Sequence, residues 1–199
     1  MKYEHQGKAP RIDPSAVIAS TAVISGDVTI GADSQVLHGA IITAEGGPIV
    51  IGEHVIVMEN ALIRSSAVDP VTIGDHCLIG PMSSISGAVI AEEVFIATGV
   101  RIFNGARIGR GTEVRINAVV HLRTELPEAS VVPIAWVAVG APAQYFSPDQ
   151  HEEIWAVQRE LDFPGYVFGL DRDTPDLMVQ LTERYAAHLA RHEHDKPVE

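Results

Sequence analysis

Aliphatic residues recur along this chain at every sixth position. With two interruptions and one step of five, the series comprises Ile12, Ile18, Ile24, Ile30, Val36, Ile42, Ile51, Val57, Ile63, Ile73, Ile79, Ile85, Ile90, Ile96, Ile102, Ile108, Val114 and Val120. Two residues before most of these positions stands a small or apolar residue, such as Ala22, Val55 or Cys77. A helix would repeat near 3.6 and an amphipathic strand at 2, so neither element alone explains a period of six.

The six-residue period predicts a hexapeptide solenoid, in which each repeat forms one flat side of a triangular coil. Glycine follows the aliphatic residue at several corners, for example at Gly52 and Gly74, where it would relieve crowding. We therefore predict a mainly β fold, a left-handed parallel β-helix, over residues 10–143. Insertions at residues 43–50 and 64–72 contain turn-forming residues and should be loops, which often carry sites on a rigid scaffold.

The remaining residues, 144–199, should form an appendage of α-helices. Ser147-Pro148-Asp149-Gln150 has the composition of a helix start, and this helix should run to about Leu161. A second start follows at Asp173-Thr174-Pro175. Such helices can cover an open end of a solenoid or pack on a neighbouring chain.

The charge balance narrows the choice of partners. The chain carries 26 acidic and 14 basic residues, a formal net charge of −12, which disfavours nucleic acid and anionic membranes. One cysteine allows no disulfide framework within the chain. The first residues lack the apolar segment of a signal peptide, and no apolar run reaches membrane-spanning length. We therefore expect a cytoplasmic protein.

Three segments of the repeat region stand out: Pro48-Ile49-Val50-Ile51-Gly52, Pro70-Val71-Thr72-Ile73-Gly74-Asp75 and Val139-Gly140-Ala141-Pro142-Ala143. Through these segments, residues 28–139 resemble the γ-class carbonic anhydrase-like branch of the hexapeptide-repeat proteins. The resemblance implies a homotrimer. It also implies a cleft between subunits, where that family holds zinc with two histidines of one chain and one of the next.

The three positions that match those histidines hold Arg64, Pro81 and Ser86, and the family's Arg-Gly-Asp segment aligns with residues 43–45. Arginine stays protonated and proline has no ligand atom, so the resemblance implies that the three-histidine zinc site is lost. We predict no metal at this place and no zinc-hydroxide chemistry.

Stacked coils align outward residues in ladders. One ladder should read Thr43, Arg64, Ser86, Phe103 and His121, and another His38, Glu59, Pro81, Thr98 and Ile116. We predict that Arg64, Ser86, Glu59 and Phe103 bind a small anionic or acyl-type molecule between subunits. The alternative is that Arg64 pairs with Glu59 of a neighbouring chain and fastens the trimer.

Two other functions stay open at this point. His38 could act as a general base in an acyl-CoA-dependent acyltransferase, with CoA as the cofactor held by Arg107, Arg110, Arg115 and Arg123. The alternative for His38 is a surface histidine with a structural hydrogen bond. The other function is a purely structural trimer. No cofactor besides CoA is predicted, and whether the chain is an enzyme stays open.

Overall fold

The computed structural model describes residues 1–198, which form short strands followed by helices. The strands are β1 Lys2–Glu4, β2 Arg11–Ile12, β3 Val17–Ile18, β4 Val23–Ser25, β5 Val28–Ile30, β6 Gln35–Val36, β7 Ile41–Ala44, β8 Ile49–Ile51, β9 Ile56–Val57, β10 Leu62–Ser65, β11 Val71–Ile73, β12 Leu78–Ile79, β13 Ser84–Ser86, β14 Val89–Ile90, β15 Phe95–Ile96, β16 Arg101–Ile102, β17 Arg107–Ile108, β18 Glu113–Val114, β19 Val119–Val120, β20 Glu125–Leu126, β21 Val131–Val132, β22 Val137–Val139, β23 Gln144–Phe146 and β24 Lys196–Val198.

Each solenoid strand pairs with the third strand before and after it, so the chain builds the three sides of a coil. One sheet has ten strands in the order β23-β22-β19-β16-β13-β10-β7-β4-β1-β24. The other two have seven strands each, in the orders β2-β5-β8-β11-β14-β17-β20 and β21-β18-β15-β12-β9-β6-β3. Pairing between solenoid strands is parallel, as where Ile63 lies between Ile42 and Ile85. The predicted parallel β-helix is confirmed.

The core is the six-residue series itself. Every member from Ile24 to Val120 is buried, whereas Ile12 and Ile18 are partly buried at one end. Burial of each isoleucine contributes about 1.5–3 kcal/mol relative to an exposed side chain. The series continues beyond its predicted members, since Leu126 and Val132 are also buried.

The glycines at the corners allow close approach of successive coils. A Cβ on Gly74 would lie 2.6 Å from the amide nitrogen of Glu92 and 2.8 Å from the carbonyl carbon of Ala91, both in the next coil. Because these are backbone atoms, an added methyl group would push the coils apart. This is the crowding that the sequence pattern predicted.

Three α-helices follow the solenoid: α1 His151–Gln158, α2 Phe163–Phe168 and α3 Leu177–Leu189. Short 3₁₀-helices at Arg159–Leu161 and Ala190–His194 extend α1 and α3. The first helix begins at His151, later than the start predicted at Ser147. The backbone amide of Ser147 instead donates a 3.0 Å hydrogen bond to the side chain of Gln150 in the turn before the helix. No helix within residues 1–198 is long and apolar enough to cross a membrane.

The two ends of the described chain meet at one edge of the ten-stranded sheet. β1 runs parallel to β4 and antiparallel to β24, with Lys2 opposite Val198. β1 lies before residue 10, where we predicted the β-helix to begin. The division into residues 10–143 and 144–199 stays a prediction.

Candidate functional site

The predicted ladder of outward side chains is present on the ten-stranded sheet. Arg64 lies in register between Thr43 and Ser86. Phe103 and His121 continue the ladder, and their rings stack with centroids 5.5 Å apart. Three of the predicted ligand-binding residues, Arg64, Ser86 and Phe103, are therefore neighbours on one face.

This face borders a cavity of about 600 Å³ between the solenoid and the chain's own helices. The loop at residues 66–68 and residues of α2 and α3 form its other walls. We expected the site to lie between subunits, but here helices of the same chain cover Arg64. The sequence predicts an apolar face on α3 but does not show which surface that face contacts.

Arg64 contacts both the C-terminal helices and the solenoid. Its Nη1 donates a 2.8 Å hydrogen bond to the hydroxyl of Tyr185 in α3, and its Nε lies 3.9 Å from a carboxylate oxygen of Glu45. That second distance is too long for a hydrogen bond. The Nε is buried and has no hydrogen-bond partner within residues 1–198.

Aromatic rings form the apolar wall of the cavity. Phe163 packs edge-on against Phe103 at 6.1 Å and against Phe168 at 5.9 Å between centroids. Phe168 packs in the same manner on Tyr185 at 5.9 Å. Such edge-to-face pairs contribute about 0.5–1.5 kcal/mol each beyond burial, so they fix α2 and α3 over the ladder.

The loop after β10 is tied to α2 through Asp69. The carboxylate of Asp69 accepts hydrogen bonds from the hydroxyl of Tyr166 at 2.8 Å and from the amide of Asn104 at 3.2 Å. The guanidinium of Arg123 lies 5.1 Å from the centre of the Tyr166 ring. Burial, together with the adjacent Asp69 carboxylate, raises the pKa of Tyr166.

Glu45 joins the cavity to a second polar cluster near the chain ends. Its carboxylate lies 3.0 Å from Nε2 of His192 and 3.7 Å from Nε2 of His188. Nδ1 of His192 lies 2.8 Å from Asp195. Burial by itself would lower the pKa of His192, but its hydrogen bonds to Asp195 and Glu45 raise that pKa above its ordinary value.

Comparison with known proteins identifies homologues of the chain, although no protein-family model matches it. It is 29% identical over 153 residues to γ-carbonic anhydrase 1, mitochondrial, of Arabidopsis thaliana, covering 74% of this chain and 54% of that protein. It is 32% identical over 111 residues to a carbonic anhydrase of Geobacillus kaustophilus, covering 56% of this chain and 61% of that protein. The chain is a homologue of γ-class carbonic anhydrases. It spans between half and two thirds of the length of these relatives.

A solved structure supports the hexapeptide-repeat fold of the chain. It is a Bacillus cereus protein whose acetyltransferase activity is a provisional assignment, and it is 23% identical with a TM-score of 0.57. The alignment covers 98% of each chain, so it includes the helical region. At this identity the likeness concerns the fold alone.

The residues at the positions matched to the family's zinc ligands do not fit a zinc ion. Arg64 and Ser86 are adjacent on the ladder, and Arg64 already donates to Tyr185. A guanidinium repels a cation, and a serine hydroxyl is not among the usual zinc ligands. Pro81 offers no side-chain ligand and lies instead beside an apolar groove with Phe95 and Ile116.

The other predicted site residues lie outside the cavity. Glu59 and His38 are exposed at the corner that precedes the ten-stranded sheet, where the amide of Asn60 donates to the carbonyl of His38. Nδ1 of His38 lies 2.8 Å from the hydroxyl of Thr21. This contact agrees with the alternative that His38 is a surface histidine with a structural hydrogen bond. A pairing of Arg64 with Glu59 of a neighbouring chain stays a prediction.

The arginines proposed to hold CoA do not form one patch. Arg110 pairs with Glu93 at 2.5 Å, Arg115 pairs with Glu113 at 3.4 Å, and Arg123 lies over Tyr166. Arg107 lies in β17, which belongs to the seven-stranded sheet that begins with β2, and it lines a separate groove there. The structure therefore does not bring these four arginines together, and binding of CoA stays a prediction.

Sequence reasoning missed Tyr185, His188 and His192 as neighbours of the ladder. A signal was present, because His188 and His192 are four residues apart and so share one face of a helix. Which part of the solenoid that face contacts could not be read from the spacing. Glu45 belongs to the segment that aligns with the family's Arg-Gly-Asp residues, and the structure shows that its carboxylate contacts His188 and His192.

Proposed function

We propose that this chain is a γ-carbonic anhydrase-like protein that lacks the three-histidine zinc site and binds a small carboxylate or acyl-type ligand beside Arg64. The observation that carries the proposal is the buried Nε of Arg64, which has no hydrogen-bond partner within residues 1–198. A buried donor without a partner costs about 1–3 kcal/mol. A ligand oxygen that accepts from this nitrogen, once the side chain rotates to expose it to the cavity, would remove that cost.

The surroundings of Arg64 favour a carboxylate with a compact apolar body. A cavity of about 600 Å³ has the size of typical small-molecule sites. Phe103, Phe163 and Phe168 would contact the apolar body, while the Ser86 hydroxyl offers a further hydrogen bond. The Glu45 carboxylate is bonded to His192 and lies 3.9 Å from Nε of Arg64, so it forms a long ion pair with Arg64 but no direct hydrogen bond to that nitrogen.

We also propose that the protein is a homotrimer, as its resemblance to the family implies. Phe95, Ile116 and Ile134 are 43%, 45% and 58% exposed and border one groove beside Pro81. Clustered exposed apolar residues are typical of protein contacts. Light scattering should give three times the chain mass, and Ile134→Glu should lower it. A wild-type protein that stays monomeric at 100 µM would contradict the trimer.

The ligand proposal is tested by calorimetric titration with benzoate, hexanoate and acetyl-CoA. We expect benzoate or hexanoate to bind, and Arg64→Met to weaken that binding at least tenfold. The matched control is Arg159→Met, which changes an exposed arginine that does not line the cavity and should bind like wild type. Equal binding by Arg64→Met, or absence of carboxylate binding, would contradict the proposal.

Two further outcomes address the other functions. Binding of acetyl-CoA without binding of either carboxylate would favour the acyltransferase hypothesis. Hydration of CO₂ after incubation with Zn²⁺, if it persists in His192→Gln, would contradict the proposed loss of zinc chemistry at Arg64, Pro81 and Ser86. Stopped-flow measurement with a pH indicator provides that readout.

A further inference from the structure

Side chains from the two ends of the described chain converge beside β1 and β24. They are His5, His192 and Asp195, and each offers one ligand atom within 4.8 Å of the other two. The pairing of β1 with β24 produces this convergence, because Glu4 lies opposite Lys196. The cluster is separate from Arg64, Pro81 and Ser86.

Both imidazoles present the same nitrogen to one carboxylate. Nδ1 of His5 lies 2.5 Å from Oδ1 of Asp195, and Nδ1 of His192 lies 2.8 Å from Oδ2. The rings stack with centroids 4.3 Å apart. Imidazole nitrogen and carboxylate oxygen bind zinc at about 2.0–2.2 Å, which places tetrahedral ligands roughly 3.3 Å apart. Side-chain rotations that widen the two contacts by less than about 1 Å would admit an ion.

The opposite nitrogens of both rings have polar partners. Nε2 of His192 lies 3.0 and 3.1 Å from the two carboxylate oxygens of Glu45, which is only 6% exposed. Nε2 of His5 lies 2.9 Å from the side-chain amide of Gln6, whose oxygen would accept a hydrogen bond from Nε2–H if the amide group were flipped by a half-turn. Metal-binding histidines usually donate their second N–H to such groups, which fixes the tautomer that leaves Nδ1 free for the metal.

We propose that His5, His192 and Asp195 bind one Zn²⁺ ion, with Glu45 and Gln6 orienting the two imidazoles. His5 is 3% exposed, whereas the side chains of His192 and Asp195 are 31% and 16% exposed. The ion therefore has access from solvent on one side, and water completes its coordination there. Bound zinc joins β1 to the segment that follows α3, so it stabilises the packing of the helices on the solenoid.

The test uses tag-free full-length protein that has been dialysed against a chelator and then titrated with ZnCl₂ in a calorimeter. We expect one ion per chain and a higher melting temperature with zinc. His192→Gln and Asp195→Asn should each weaken binding at least tenfold, and Glu45→Gln should weaken it about 10–100-fold. The control is the double variant His54→Ala and His76→Ala, which removes a stacked pair of histidines at an outer corner.

A measurement on the unaltered protein keeps the test valid if a variant does not fold. Co²⁺ in place of Zn²⁺ should give visible absorption bands typical of tetrahedral coordination, and zinc should abolish them. The proposal is overturned if wild-type protein binds no zinc at 100 µM, if Asp195→Asn binds with unchanged affinity, or if the double variant loses the ion. Each of these results would leave a hydrogen-bonded cluster without metal. The carboxylate titrations at Arg64 are a separate experiment, so either proposal can fail alone.

Discussion

Arg64 in β10 donates a 2.8 Å hydrogen bond to the hydroxyl of Tyr185, which lies 121 residues later in α3. The arginine stands where the resemblance to γ-carbonic anhydrases places a zinc ligand. Its guanidinium group therefore binds a helix of the same chain and holds that helix over the ladder. This contact makes the C-terminal helices part of the candidate site.

Replacement of Tyr185 by phenylalanine should loosen α3. The change removes the hydrogen bond from Arg64 but keeps the ring that packs on Phe168, and we expect a loss of about 1–2 kcal/mol in the free energy of unfolding. Hydrogen exchange should accelerate in residues 177–189 while the solenoid stays protected. Glu183→Gln changes an exposed residue on the same helix and serves as the control. Unchanged exchange in Tyr185→Phe would show that the contact does not anchor the helix.

Tyr166 should ionise at a higher pH than an ordinary tyrosine. Its burial and its hydrogen bond to Asp69 both raise its pKa, because the phenolate would be poorly solvated and would face a carboxylate. Ultraviolet titration of the four tyrosines should therefore show a late step that Tyr166→Phe removes. That variant should also lose about 1 kcal/mol of stability, since Asp69 loses a donor. Persistence of the late step in the variant would refute the assignment.

Protonation of His121 should destabilise the fold. Burial lowers the pKa of this histidine, so below about pH 6.5 the unfolded chain takes up the proton more readily than the folded chain. Stability should fall for this reason as the pH decreases from 7 towards 5. His192 has a raised pKa and contributes with the opposite sign, favouring the fold at low pH. The quantity to measure is therefore the difference between wild type and His121→Phe.

His121→Phe keeps a ring on Phe103 but cannot be protonated. We expect its urea midpoint to fall less than that of wild type between pH 7 and pH 5. His54→Phe alters an exposed histidine and should retain the wild-type dependence. Parallel curves for His121→Phe and wild type would show that this imidazole does not set the acid sensitivity.

The buried series should be far more sensitive to truncation than the outward positions. Ile85→Ala removes a fully buried side chain beneath the cavity and should cost about 2–5 kcal/mol of unfolding free energy. Val89→Ala, four residues later and 37% exposed, should change stability much less. Denaturation in urea measures both. Similar losses in the two variants would contradict the assignment of inward and outward faces.

The solenoid was predictable because its determinants repeat locally. Ile63, Ile85 and Ile102 are buried for the same reason, namely that each occupies one position of a six-residue unit. The ladder from Thr43 to His121 followed from the same count. A period that persists through many units fixes both the inward face and the register.

The contacts of the helices were not predictable in this way. The pairing of Tyr185 with Arg64, and of Asp195 with His5, depends on how three helices turn back along the solenoid. Helical periodicity shows that α3 has two faces, but it does not show which surface either face will meet. The helix directions depend on the breaks near Asp162 and Asp176, whose backbones adopt left-handed conformations.

Strand direction at the ends of the ten-stranded sheet has a consequence for assembly. β23 and β24 are its outermost strands, and both run antiparallel to their neighbours. A second solenoid that approached end to end would meet β23 or β24, which run opposite to the solenoid strands. The solenoid strands pair in parallel with one another, so the two molecules would not continue the same pairing. Growth into fibres by head-to-tail stacking is therefore hindered along this side, in the way that natural sheets protect their edges. Association through the lateral faces remains open to the protein.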